Sequence, residues 1–167
     1  MRAYELIAGS SSVDGLRRCE RPDPKPGPTQ ILVRIQAVSF NYRDLMIARG
    51  HYMGGPVGSN VIPLSDGAGE VAAAGSAVSR FRVGERVAGT FFRNWIDGAP
   101  PQGPLVALGA PPADGVLAEY AVFDEQDADR RRIQGGHSRG SLTMVSQKSS
   151  IDRTLSTSSS KLTGLVT

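Results

Sequence analysis

Cysteine is almost absent from this chain of 167 residues. Cys19 stands alone, so no intrachain disulfide can form. A lone thiol fits a reducing compartment, and the cytoplasm is the expected location. No apolar run approaches the ~18 residues of a membrane span, and the opening MRAYELIAG is too short in apolar residues for a signal peptide. Aromatics make up 6% of the chain. No P-loop and no G-x-S-x-G occurs, which removes the usual phosphotransfer and serine-hydrolase constellations. Histidine is limited to His51 and His137, both in polar surroundings that favour solvated side chains.

Glycine and proline, at 20 and 11, favour short strands and many turns. The length is that of one domain, within roughly 100–200 residues. The net charge of +3 is unevenly placed. From Gln126 onward there are seven Lys and Arg against three Asp and Glu, so the remainder is slightly acidic. A basic nucleic-acid face on the folded part is therefore not expected. Arg130-Arg131-Arg132 has no interleaved aromatics and reads as a solvated run.

Residues 2–8 read as a strand, with Ser10–Ser12 and Gly15 turning the chain so that 16–19 pairs back. The proline-rich stretch 22–28 cannot enter a sheet interior, because proline removes the ladder donor. Residues 30–38 alternate Ile31, Val33, Ile35 and Ala37 against Leu32, Arg34 and Gln36, a half-buried strand. At Asn41 the period changes. Asn41 with Asp44 has the logic of a capping box, and Leu45, Met46 and Ile47 continue a short helix that stops by Gly50. Residues 51–60 form a Gly-rich loop. Strands are expected at 67–74, 86–91 and 117–123, with a tight turn at Gly84 framed by Val78, Phe81, Val83 and Val87. The stretch 93–115 is a long Pro/Gly loop, a length that usually marks a functional segment.

The motif Asn41-Tyr42-Arg43-Asp44, joined to Asp66-Gly67-Ala68-Gly69-Glu70-Val71 and the Val-Gly-Glu-Arg-Val turn at 83–87, resembles the N-terminal GroES-like domain of the medium-chain dehydrogenase/reductase superfamily. The branch it is most similar to is the zinc-independent quinone oxidoreductases and their alcohol dehydrogenase-like relatives. The resemblance covers residues 1–125. It implies a mainly β fold: a GroES-like, partly open β-barrel with one or two short helices. It also implies chemistry with a nicotinamide cofactor, NADP(H), and a small carbonyl or quinone substrate, with no nucleic acid or membrane partner. Asn41 and Tyr42 would orient the substrate oxygen on the nicotinamide side, Arg43 would stabilise developing negative charge, and Asp66 would lie near the cleft. The bland reading of the same residues is helix capping by Asn41 and Asp44, with the Tyr42 ring packed. Tyr52 lies in a loop that approaches substrate in relatives.

Zinc-type members carry Cys-His-Thr/Ser-Asp at the helix start and Gly-His-Glu in the next strand. Here Asn41 stands for the cysteine, Ser65 for the histidine and Asp66 for the glutamate, so no metal site is expected. Gly67 to Ala72 fits G-x-G-x-x-A, yet Pro63 and Gly75 deny it the flanking strand and helix of a dinucleotide fingerprint. It is expected to be a strand.

After residue 125 the resemblance stops and the composition changes. Fourteen of the last 42 residues are Ser or Thr and none is aromatic, so a disordered tail is expected over 126–167. The abruptness suggests a shifted reading frame or divergent splicing near Gln126. The family's dinucleotide-binding domain is not expected in this chain. Two readings follow: a truncated oxidoreductase supplying one wall of the cleft, or a non-catalytic β module for interaction or oligomerisation. A non-functional fragment is the third possibility.

Overall fold

The computed structural model describes residues 1–130 except 53, 94 and 96. Of the tail expected to be disordered from 126, residues 131–167 lie outside the described residues, whereas 126–130 are ordered, in a 3₁₀ turn at Glu125–Asp127 and a strand at Ala128–Arg130. The fold is mainly β, a sheet curled into a partly open barrel with one α-helix. Among the described residues no helix is long and apolar enough to cross a membrane.

An N-terminal hairpin pairs β1 (Arg2–Leu6) with β2 (Leu16–Glu20). The expected turn is there, closed by a single 3₁₀ turn at Val13–Gly15. The main sheet follows β3 (Gln30–Ser39), β4 (Asp66–Ala74), β5 (Arg86–Gly89), β8 (Tyr120–Asp124) and β9 (Ala128–Arg130), in the order β8-β3-β4-β5-β9, with every neighbour antiparallel. Between β5 and β8 lies a small ladder of β6 (Phe92–Arg93) and β7 (Val106–Ala107). The sequence reading left 93–115 as loop. Strands of two residues carry no periodic signal, so this ladder was not legible.

The alternation read along β3 is present: Ile31 and Val33 are fully buried, and Ile35 and Ala37 half-buried. They meet Val71, Val87, Val116 and Phe123 in the main core. Burying each such side chain contributes about 1.5–3 kcal/mol. A second, smaller cluster joins Leu6, Ile47, Val57 and Val61. It fastens the helix α1 (Tyr42–Ala48) to the hairpin and to the 51–61 loop. Of the residues framing the Gly84 turn, Phe81 and Val87 are buried while Val83 is exposed at the turn itself.

Gly67 to Ala72 is indeed strand. Gly69 pairs with Ile35, and a Cβ there would run into the carbonyl of Arg34. Glycine lets β3 and β4 approach closely, a packing reason for a motif that looks like a phosphate loop. Register shifts on β3 between Leu32 and Val33, and between Ile35 and Ala37, bend the strand toward the helix start. On its other flank β3 pairs with β8 only from Gln30 to Arg34, and the Ile35 N–H then bonds the carbonyl of Glu119 at 2.9 Å. A groove of about 440 Å³ opens beside Ile35–Val38, walled by Arg2–Tyr4 and Val116–Glu119.

Candidate functional site

The last pair of the β3–β4 register, Ser39 opposite Asp66, brings the two sequence motifs together. Ser39 is two residues before Asn41, so the helix start and the Ser65-Asp66 segment sit side by side. Asp66 is half-buried, and its Oδ1 accepts from the Ser65 hydroxyl at 2.9 Å. Ser65 itself is 1% exposed.

The chain enters this segment through Leu64, which has φ of 72° and a fully buried side chain. A β-carbon crowds the backbone in the left-handed region, at a cost of about 1–3 kcal/mol. The site is packed around it. A Cβ at Gly109 would meet the Leu64 backbone, and one at Gly115 would meet the carbonyls of Leu64 and Pro63. The Val116 N–H bonds the Leu64 carbonyl at 3.0 Å. Sequence reasoning had no signal for this, since leucine is not a residue that advertises a positive φ.

At the helix start Asn41 is extended, with φ of −117° and ψ of 158°. The Asp44 carboxylate reaches back to the Asn41 N–H at 2.8 Å, and the Asp44 N–H bonds the Asn41 carbonyl at 3.0 Å. The capping logic read from these two residues is therefore present. Tyr42 is 77% exposed, so its ring does not pack as the bland reading expected. It is the first helical residue and no core lies beneath it. Asp44 is 8% exposed. Burial pushes its carboxyl above the usual range, and the nearby Asp66 adds to this, while the Asn41 N–H and Arg43 pull the other way.

Arg43 is half-buried and heavily engaged. Its guanidinium lies over the Tyr52 ring at 4.7 Å and over the Phe91 ring at 5.1 Å. Nη1 donates to the Leu108 carbonyl at 2.9 Å. Its Nε and the Asp44 Oδ1 are buried without a hydrogen-bond partner among the described residues. One side chain therefore ties α1 to the 51–60 loop, the end of β5 and the stretch after β7. Tyr52 was singled out from the sequence only as a lone aromatic in a glycine loop, and Phe91 and Leu108 not at all. Topology alone brings them to Arg43. His51 is exposed, and His137 lies outside the described residues.

This strand–helix–strand arrangement, entered from a bent β3 and closed by the Ser39–Asp66 pair, is found in known proteins. Residues 27–130 match the alcohol dehydrogenase GroES-like domain. The chain belongs to that family. Within the medium-chain dehydrogenase/reductases, this GroES-like chain is 38% identical over 114 residues to a zinc-type alcohol dehydrogenase-like protein of Schizosaccharomyces pombe, covering 68% of the chain and 33% of the relative. It is 32% identical over 126 residues to a chloroplastic quinone-oxidoreductase homolog of Spinacia oleracea, covering 75% of the chain and 33% of that protein. Among solved structures, an NAD-dependent alcohol dehydrogenase superposes with a TM-score of 0.67 at 26% identity, over 78% of this chain and 39% of the other. The quinone oxidoreductase of Coxiella burnetii, at 21% identity and a TM-score of 0.57, shares the fold. The GroES-like chain spans about a third of the length of these curated relatives.

A catalytic zinc needs thiolate, imidazole or well-placed carboxylate donors. At the positions matching the zinc motif, this chain offers an amide at Asn41, a hydroxyl at Ser65 already spent on Asp66, and one carboxylate. Among the described residues no three His, Cys, Asp or Glu side chains converge. The donor set does not fit zinc.

Proposed function

We propose that this chain supplies the substrate-side wall of a zinc-independent, NADP(H)-dependent reductase acting on a quinone or an activated C=C or C=O. The observation that carries the reading is the Ser39–Asp66 pairing, which brings the exposed Asn41 and Tyr42 and the half-buried Arg43 beside Ser65 and Asp66. A bound reduced nicotinamide supplies the hydride, two electrons and a proton equivalent, and the substrate oxygen gathers the negative charge before taking a proton from solvent. Asn41 and Tyr42 orient that oxygen through the side-chain amide and hydroxyl. Arg43, held against the Tyr52 and Phe91 rings, presents a preorganised cation where the charge develops. Placement is the protein's main contribution to hydride chemistry. The single half-buried Cys19, whose thiol burial pushes up, suits a reducing cytoplasmic setting.

The test is an NMR titration of the chain with cyclohex-2-enone and with tetramethyl-1,4-benzoquinone, whose ring has no free position for thiol addition. Shifts should centre on Asn41–Arg43, Tyr52 and Asp66, and Asn41→Ala should weaken them several-fold. Binding that leaves these residues unmoved refutes the reading. Because a single wall orients the reactants incompletely, nicotinamide oxidation by the chain alone should stay near background. The second reading, a non-catalytic interaction module, draws on the flank of β3 beyond Ile35, to which no strand is paired among the described residues. Gel filtration showing a stable oligomer that ignores both ligands would favour it.

A further inference from the structure

β3 changes neighbours half-way along its length. Toward β8 it is paired from Gln30 to Arg34, and the Ile35 N–H closes that side on the Glu119 carbonyl at 2.9 Å. The segment before β8 belongs instead to β1. The Tyr4 N–H bonds the Leu117 carbonyl and the Glu119 N–H bonds the Arg2 carbonyl, each at 3.0 Å. From Ala37 to Ser39, β3 has a ladder partner only in β4 among the described residues. Gln36, at the register shift, is paired in neither ladder. A strand flank left open in this way presents main-chain donors and acceptors as a template for another strand.

The groove of about 440 Å³ runs along this flank. Ala3, Ala37, Val38, Val116 and Ala118 line it with short apolar side chains. The charged residues in the lining are Arg2, Arg18 and Glu119. Two of these are spent on one another, since Arg2 Nε donates to Glu119 Oε1 at 2.6 Å and the Arg2 N–H to Oε2 at 2.8 Å. Arg18, opposite Tyr4 in the hairpin, is exposed. Its side chain makes no hydrogen bond, ion pair or ring contact among the described residues. The groove therefore combines an open strand flank, an apolar lining and one uncompensated positive charge.

An extended peptide answers all three features. Its backbone pairs with the free flank, and alternate side chains fall on the apolar lining. Ile35 to Val38 offers about 13 Å of strand at 3.3 Å per residue, enough for a short segment. Resting on the second reading, in which the free flank of β3 binds another chain, we propose that this groove takes an extended acidic peptide, added beside Gln36–Val38 as a strand with a carboxylate against Arg18. Asp66 pairs with Ser39 from the opposite flank of β3, so a peptide here does not compete with the substrate wall.

The experiment titrates the wild-type chain, Arg18→Ala and Arg18→Glu by NMR. The probes are the end-blocked peptide Val-Glu-Val-Glu-Val, its lysine counterpart, a backbone N-methylated form of the acidic peptide, and hexanoate. Arg18 is exposed, so both variants should melt with wild type. The acidic peptide should shift the amides of Gln36, Ala37 and Val38. Arg18→Ala should weaken it by roughly two- to fivefold, and Arg18→Glu should turn the preference toward the lysine peptide. The N-methylated form, which has lost main-chain donors, should bind least. The proposal is overturned if the lysine peptide binds wild type as well as the acidic one, or if Arg18→Glu leaves the preference unchanged. It is also overturned if the N-methylated peptide binds undiminished, or if hexanoate alone reproduces the shifts, which makes the groove a small-molecule site. The same amides moving with protein concentration, before any peptide is added, assign the groove to a second copy of the chain and overturn it too. Silence at Gln36–Val38 with every peptide, and at every protein concentration, removes the interaction reading itself, so the two failures are told apart.

Discussion

Asp44 carries the helix start on one carboxylate oxygen and leaves the other buried without a hydrogen-bond partner among the described residues. Asp44→Ala removes the acceptor for the Asn41 N–H and should cost about 0.5–2 kcal/mol in a urea unfolding experiment. Asp44→Asn keeps an acceptor and should lose less. The pH dependence separates charge from shape. Burial raises the Asp44 carboxyl, so the folded chain holds that proton more tightly than the unfolded one. Stability from this group is full below the unfolded carboxylate range and is lost as pH rises through the raised folded value. Glu125 works in the opposite sense. The N–H groups of Arg80 and Ser79 hold it below its usual range, so its contribution is lost as pH falls. Urea midpoints of wild type and Asp44→Asn, measured across the acid range, should show the wild type's margin shrinking as pH rises. A constant difference would remove the assigned role of burial. Leu64 offers a second test. Leu64→Gly relieves the positive φ but removes a fully buried side chain, a loss of about 2–5 kcal/mol in comparable cores. Packing should win, and the variant should melt below wild type.

Arg43 is where elements meet. Its contacts with Tyr52, Phe91 and the Leu108 carbonyl join α1 to three loop segments. Each cation–π contact contributes about 0.5–1 kcal/mol or more and the hydrogen bond a similar amount. Arg43→Met should therefore lower stability by about 2 kcal/mol. A double-mutant cycle with Tyr52→Ala should return a coupling of about 0.5–1 kcal/mol, measured by denaturant midpoints. A coupling of zero would show that the ring merely lies nearby. The elements themselves were largely legible. The Ile31–Ala37 alternation, the Asn41–Asp44 cap and the Gly-rich strand at 67–74 each carry a local pattern with one physical meaning. The ladder at 92–93 and 106–107 and the strand Ala128–Arg130 were not, because two or three residues cannot show a period. At the site, Asn41, Tyr42, Arg43 and Asp66 came from motif resemblance. Leu64, Phe91 and Leu108 required the fold, since nothing local distinguishes a strained leucine or a phenylalanine that meets an arginine.

At the scale of the molecule, the proposed zinc-independent reading, drawn from an amide, a hydroxyl and a single carboxylate at the zinc-motif positions, predicts no stabilisation by zinc. A ligand that binds only the folded state raises its stability by mass action. Melting curves with excess zinc and with EDTA should therefore overlay. A rise of several degrees with zinc would show a donor set that the described residues do not contain.

The passage of Leu64 between Gly109 and Gly115 has a consequence for heredity. Codon 64 is far from codons 109 and 115 in the gene, but all three residues occupy one volume. A β-carbon at 109 or 115 meets the backbone that Leu64 has already bent out of its ordinary range. Mutations there should not drift independently. A selection that starts from Gly115→Ala should recover its suppressors at residue 64 and its immediate neighbours, making two distant stretches of the gene behave as one locus.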